Sequence, residues 1–351
     1  MLQADAFAQS PLELKALGLS SSSFAALQRP WLWSEEGPIL SGHARSILRK
    51  IGLERPQLLH GDASRDGATK LLLDLQGERI EAVHMPRNVG TGRVTLCISS
   101  QVGCGMGCRF CATASMGFRR HLSAGEIVVQ VLAAVHRLGP RHPGDLTLVF
   151  MGMGEPLHNF SAVAKAISIL TDPLGMGMAP RRITVSTSGL VPEIGQLGRL
   201  PVRPLLAVSL NATTDSLRSD LMPIGRRYHL ADLAAALKAF PLRPKERITL
   251  EYVLLSGVND SPEDAVRLAE FARPLRHHIN LIPFNEHEHA EFRSPTEERV
   301  DNFFRELRAA GAPLVTVRHS RGRDVQGACG QLVQAHAPLL RLSKRLTSAE
   351  A

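Results

Sequence analysis

Residues 93–111 read Arg93-Val-Thr-Leu-Cys97-Ile-Ser-Ser-Gln-Val-Gly-Cys104-Gly-Met-Gly-Cys108-Arg-Phe-Cys111. The apolar, β-branched run at 93–99 predicts a strand. It feeds a glycine-rich loop with cysteines spaced C-x3-C-x2-C. Three thiolates on so short a loop can wrap a metal centre. A tetrahedral zinc site needs a fourth ligand, for which His121 is available, but this is not a usual zinc spacing. A cubane iron–sulfur cluster on three cysteines leaves one iron open to a non-protein ligand. Gly103, Gly105 and Gly107 let the backbone curl around such a body, and Phe110 can shield it from water and tune its potential. Three structural thiols without metal are the plain alternative.

Downstream, strand candidates recur at 146–151, 182–186, 205–210, 247–254, 278–283 and 314–318. They lack polar alternation, as parallel strands covered on both faces do. Helix starts lie between them. Ser123-Ala-Gly-Glu126 is a capping box, and Ser261-Pro262 and Ser294-Pro295 each place a capping residue before a first-turn proline. The alternation predicts an α/β fold with six or seven βα units, short of a closed barrel. We expect a partial (β/α)6-type barrel whose site lies at the carboxyl ends of its strands. Upstream, 69–75 and 78–84 read as a β-hairpin around Gln76-Gly77. The expected division is a mainly helical accessory domain over 1–66, a hairpin extension over 67–93, the barrel over 94–332 and a basic tail over 333–351. His43, Arg45, Arg49 and Lys50 form either a solvated helix face or a patch touching phosphates.

The chain has 351 residues, of which 44 % are hydrophobic and 21 % charged, values that exclude wholesale disorder. The net charge of +8 suits a polyanionic partner. No apolar run is long enough to span a bilayer, and MLQADAFAQS has no signal-peptide pattern. A cytoplasmic protein is expected, without a membrane partner. Five cysteines, three of them clustered, point to metal or redox chemistry rather than a disulfide framework.

Met151-Gly-Met-Gly-Glu-Pro156 follows a strand, where glycines admit a ligand close to backbone and Glu155 can accept from an ammonium group. Read alone it is equally a plain turn. Ser186-Thr-Ser-Gly189, Ser209-Leu-Asn211 and Asn285 also end strands; each is a ribose or carboxylate ligand or a strand-end cap. Cys97 and Cys329 read singly as buried small hydrophobes. Cys329, however, sits in a glycine-rich basic stretch that favours its thiolate. Arg119-Arg120, Arg181-Arg182, Arg226-Arg227, Arg321, Arg323 and Arg341/Lys344/Arg345 supply positive charge for RNA or simply a solvated surface.

The cysteine loop after the first barrel strand resembles the radical S-adenosylmethionine (SAM) superfamily. Together with GMGEP, STSG, SLNA, INLIPFN, SRGRD and ACGQL it resembles the RlmN family within it, over about residues 78–332. Those enzymes are dual-specificity adenine methyltransferases of 23S ribosomal RNA and transfer RNA. The resemblance implies a [4Fe–4S] cluster on Cys104, Cys108 and Cys111, and SAM on its open iron. Gly154, Glu155, Ser186, Ser209, Leu210, Asn211 and Asn285 would line the SAM site. Cys329 would carry the methyl group, Cys97 would resolve the adduct through a transient disulfide, and Glu81 would accept the proton. The implied reaction is methylation at carbon 2 of an adenosine in the peptidyl transferase region of 23S rRNA and in the tRNA anticodon loop. A monomer and a reductant for the cluster are implied as well. The chain departs from the family at Asn211, where histidine is frequent, and at 88–92, where the loop is longer than in some members. Three alternatives stand beside this reading: carbon-8 methylation as in the Cfr family, a non-catalytic metal-bearing RNA-binding module, and an iron–sulfur redox sensor.

Overall fold

A computed structural model describes residues 5–53, 57–75, 77–87, 92–139, 142–288 and 290–332. Three helices come first: α1 (Pro11–Ala16), α2 (Ser21–Gln28) and α3 (Gly42–Lys50). Ser10 and Glu13 cap α1 reciprocally, and Ser41 caps α3. Three antiparallel strands follow: β1 (Gln57–Ala63), β2 (Thr69–Leu75) and β3 (Glu78–Pro86). β3 then pairs antiparallel with β4 (Val94–Cys97), placing Val83 opposite Cys97.

After β4 the chain forms β5 (Gln101–Gly103), the short helix α4 (Ala112–Ser115) and β6 (Phe118–His121). The βα rhythm then takes over. It runs α5 (Ala124–Leu138), β7 (Leu146–Phe150), α6 (Phe160–Thr171), β8 (Ile183–Thr187) and α7 (Val191–Gly198). β9 (Leu205–Ser209), α8 (Asp215–Leu221), α9 (Leu230–Ala239), β10 (Ile248–Leu254) and α10 (Pro262–Ala272) continue it. β11 (His277–Pro283), α11 (Glu297–Ala309) and β12 (Val315–Val317) complete it.

The sheet order is β1-β2-β3-β4-β7-β8-β9-β10-β11-β12, parallel from β4 onward. Six βα units and a seventh strand therefore make an open barrel, as expected. Its apolar core is continuous with the N-terminal helices: Phe7, Leu14 and Phe24 are fully buried in the same cluster as Leu148, Leu250 and Leu281. The Trp33 ring tilts against His136 of α5 at 5.5 Å.

Three expectations need correction. The segment 1–66 is not helical throughout, because Gln57–Ala63 is a strand. The extension is thus three-stranded rather than a two-strand hairpin, with Gln76 of its turn outside the described residues. Helix α11 starts at Glu297 with Thr296 as its cap, since the Thr296 hydroxyl accepts from the Arg299 N–H; Ser294 is not the cap. The β5–β6 pair was not foreseen. Loop residues 88–91 and the tail 333–351 lie outside the described residues.

Candidate active site

The carboxyl ends of the parallel strands surround a cavity of about 150 Å³. One wall is the cysteine loop. Its foot is fixed where the Cys104 N–H donates to the Gly117 carbonyl at 3.0 Å, just before β6. Gly103 (φ +71°) packs so tightly on that carbonyl that a Cβ would overlap it. Farther along, Arg109 N–H donates to Leu221 at the end of α8, and Ala112 N–H to the Gly330 carbonyl at 2.7 Å. Phe110 is 9 % exposed and packs with Met222, Phe284 and Phe292, roofing the loop with hydrocarbon.

Cys104, Cys108 and Cys111 all line this cavity. Burial pushes the Cys104 thiol up to about 12 and holds Cys108 and Cys111 above the ordinary thiol range as well. A metal must therefore displace their protons to bind. Among the described residues no three His, Cys, Asp or Glu side chains gather closely enough to share one ion. Three thiols from one glycine-rich loop lining one cavity would suit a body with several metal atoms, one per thiol. His121 gives no fourth zinc ligand here: its Nδ1 faces the Gln101 amide at 3.0 Å and its ring meets Phe118 and His158, away from the cavity. Sulfur donors under an apolar roof suit an iron–sulfur cluster.

Gly154, Glu155, Ser186, Ser209, Asn211 and Asn285 line the same cavity, so the fold gathers most of the expected SAM residues opposite the thiols. Gly154 (φ +98°) lies against Gln101, where a Cβ would come within 2.5 Å of the side chain. The Glu155 carboxylate accepts from Ser188 N–H at 2.7 Å and Leu157 N–H at 3.0 Å. Burial nonetheless holds its pKa above the usual carboxylate value. Asn211 sits at φ +58°, with its Oδ1 accepting from Val253 N–H. Asn285 ties the C-terminal loop, donating to Ser320 Oγ at 2.9 Å and to the Cys329 carbonyl at 3.0 Å. Leu210 is placed differently: its side chain is fully buried in the core and does not line the cavity.

Cys329 also lines a smaller adjoining pocket with Cys97, Met151 and Arg318. Cys97 ends β4 and Cys329 follows β12, the first and last parallel strands. The two cysteines meet across the open seam of the barrel. The loop that carries Cys329 closes that seam: the Ser64 hydroxyl donates to Asp324 and the Gly322 N–H to Asp66. Burial, and then the Cys329 thiolate, push the Cys97 thiol up to about 12, against the pull of Arg318. Arg318 in turn lies 3.9 Å from the carboxylate of Glu251.

Glu81 lines neither pocket. It is buried on β3 and ion-paired with Lys70 at 3.3 Å. The register puts it on the sheet face of Val83 and Cys97.

The reading of single residues missed Glu251, whose Oε2 accepts from Ser186 Oγ at 3.3 Å and which burial raises. A carboxylate inside the apolar strand 248–254 was its signal. It also gave Arg318 no role. Several arginines counted toward RNA are held internally: Arg120 by Glu126, Arg119 by Glu78, Arg323 by Asn285, and Arg321 by the Pro86 and Asp66 carbonyls. Arg181, Arg226 and Arg227 remain exposed. Among the described residues no helix is long and apolar enough to cross a membrane.

Comparison with known proteins agrees with this geometry. The radical SAM superfamily pattern matches residues 98–271. A dual-specificity RNA methyltransferase RlmN of Syntrophotalea carbinolica is 51 % identical over 271 residues, which is 77 % of this chain and 70 % of that protein. Its counterpart in Syntrophobacter fumaroxidans is 45 % identical over 304 residues, 86 % of each. Among solved structures, a radical SAM methyltransferase from Sphaerobacter thermophilus superposes with a TM-score of 0.84 at 40 % identity, covering 93 % of this chain and 98 % of that one.

Proposed function

The chain belongs to the RlmN family of radical SAM enzymes, and on that premise we propose that it methylates carbon 2 of an adenosine in RNA. The relatives' description as dual-specificity enzymes supports two substrates, for which we take 23S rRNA and tRNA. The observation that carries the reading is the second thiol pair. Cys97 and Cys329 share a pocket that adjoins the cavity walled by the three other cysteines.

Carbon 2 of adenine is electron-poor and bears an unactivated C–H bond, so ordinary attack on a sulfonium methyl is closed to it. The bound cluster and SAM supply an electrophilic methyl group and hydrogen abstraction by one-electron chemistry. Cys104, Cys108 and Cys111 hold the cluster. Gly154, Glu155, Ser186, Ser209, Asn211 and Asn285 would hold SAM, while Leu210, buried and with its N–H bonded to the Glu251 carbonyl, would support Ser209 and Asn211 from behind. Cys329 accepts the methyl group on sulfur, helped by the Arg318 cation beside it. Once the methyl carbon has bonded to the base, the Cys97 sulfur attacks the Cys329 sulfur. The disulfide forms as the carbon–sulfur bond breaks, and the carbon takes that bond's electron pair and one proton to become the methyl group of the released base, with the bound cluster as the one-electron acceptor that the preceding addition would require. The proton of carbon 2 goes to Cys97, which lines the pocket, or to Glu81, which lies on the same sheet face and would have to give up its pairing with Lys70 to take it. The base must be unstacked to enter.

Mass spectrometry of nucleosides from RNA of a deletion strain, before and after complementation, tests this. Restored 2-methyladenosine is expected in both RNAs. Restored 8-methyladenosine would move the chain to carbon-8 chemistry, and no restored methyl group would end the reading.

A further inference from the structure

A buried cation stands beside the cysteine loop, and the methyl-transfer chemistry leaves it without a task. Arg218 of α8 is 1 % exposed. Burying a guanidinium is costly unless its donors are matched. Only Nη2 is matched, donating to the Ser188 carbonyl at 2.5 Å. Among the described residues, Nε and Nη1 have no acceptor. Arg218 is within electrostatic reach of Cys108 as well as of Asp215 one turn earlier on its own helix. The fold holds Cys108 in place, because Arg109, next to it, donates its N–H to Leu221 at the end of α8. The Ser188 residue that receives Nη2 also donates its N–H to Glu155. Arg218 thus lies behind the cavity lining, bonded to Ser188 of that lining and on the helix that holds the thiol loop, with donors to spare and no carboxylate bonded to them.

An acceptor-rich anion at the thiol wall resolves this imbalance. A [4Fe–4S] centre on three thiolates is net negative and gains one more negative charge on reduction. We propose that Arg218 is the built-in counter-charge of the cluster, favouring its reduced state and so setting its reduction potential. The step is a one-electron uptake from a low-potential donor such as dithionite, with no bond made or broken and no proton moved. Arg218 is a positioning residue that acts through the cluster and touches no substrate. The proposal rests on the family's cluster and is independent of the RNA target.

The test is an anaerobic redox titration of the reconstituted holoenzyme, followed by electron paramagnetic resonance, without RNA. In Arg218→Met and Arg218→Gln the equilibrium constant for reduction should fall at least about tenfold, a downward shift of about 59 mV for one electron. Arg218→Lys should stay within about threefold of the parent. The apoprotein of Arg218→Met should melt no lower than the parent, since replacing an unmatched buried charge by an apolar chain of similar size is often neutral or stabilising. A purely structural arginine would give the opposite pattern, with a lower melting temperature and an unmoved potential. Full iron content with an unchanged potential in Arg218→Met overturns the proposal, and so does an Arg218→Met chain that fails to fold. If Arg218→Met folds but loses iron, recovery of iron in Arg218→Lys supports the charge requirement and no recovery overturns it. A parent protein that binds no cluster would instead sink the proposed function.

Discussion

The cysteine loop and the Cys97–Cys329 pair are both sulfur sites, built by opposite means. The loop is local. Three thiols fall within eight residues of chain, and hydrogen bonds donated to the Gly117, Leu221 and Gly330 carbonyls hold the loop against its neighbours. The pair exists only because the barrel is open. Cys97 ends the first parallel strand, Cys329 lies in the loop after the last, and the two share a pocket where the 320s loop bridges the seam. Their charges differ too. The pair has Arg318 lining its own pocket, whereas the loop has Arg218 buried behind it. A loop of this kind can hold a cofactor, while a pair drawn from distant strands can make and break bonds across a cleft.

The largest effect should come from breaking the pair alone. Cys329→Ala should lower methyl incorporation into RNA at least about a thousandfold. Iron content and slow reductive cleavage of SAM should persist. Normal methylation by this variant would remove Cys329 from the chemistry. Next is the cation that lines the pocket of the two thiols. Arg318→Met should slow methylation of Cys329 by about ten- to a hundredfold. An unchanged rate would show that Arg318 serves only Glu251.

A third difference is in pH dependence. Cys97 is raised in the fold from 9.0 to about 12, mainly by burial. The folded state therefore holds this proton more tightly than the unfolded chain. The stability it contributes is complete below pH 9.0 and is lost as pH climbs toward about 12. Urea unfolding of the apoprotein from about pH 8 to about pH 10.5 should show the parent losing stability relative to Cys97→Ala, approaching about 1.4 kcal/mol per pH unit. Parallel curves would mean that Cys97 is solvated. The smallest effect is expected at the seam. Asn285→Ala removes the bonds to Ser320, Arg323 and the Cys329 carbonyl. It should cost about 1–3 kcal/mol and make the 320s loop easier to cleave by protease.

The same contrast explains what the sequence could tell. Strands β7 to β11 were legible because buried parallel strands are apolar and β-branched on both faces, and the capping box at Ser123 fixes a helix start by local bonds. The triad was legible by spacing alone. Strand β1 was not: Gln57–Ala63 contains Gly61 and no β-branched residue, and only its pairing to β2 makes it a strand. The β5–β6 pair is too short to show a period, and its bonds serve the loop rather than a core. Ser294 before Pro295 reads as the cap of the last helix, but the Thr296 hydroxyl, accepting from Arg299 N–H, caps it instead. The meeting of Cys97 with Cys329 required the family resemblance, since no local pattern joins residues so far apart. Arg218 lies in a helix whose sequence gives no sign that its arginine is buried, whereas Glu251 was announced by a lone charge in an apolar strand.

The central claim is that Cys97 releases a base held on Cys329, and the most direct measurement uses Cys97→Ala. The reconstituted variant is given SAM, reductant and RNA under anaerobic conditions, and the products are run on a denaturing gel. The account predicts a protein–RNA band that survives denaturation and whose cross-linked peptide contains Cys329. Free methylated RNA with no such band, from enzyme carrying its full iron, would contradict it.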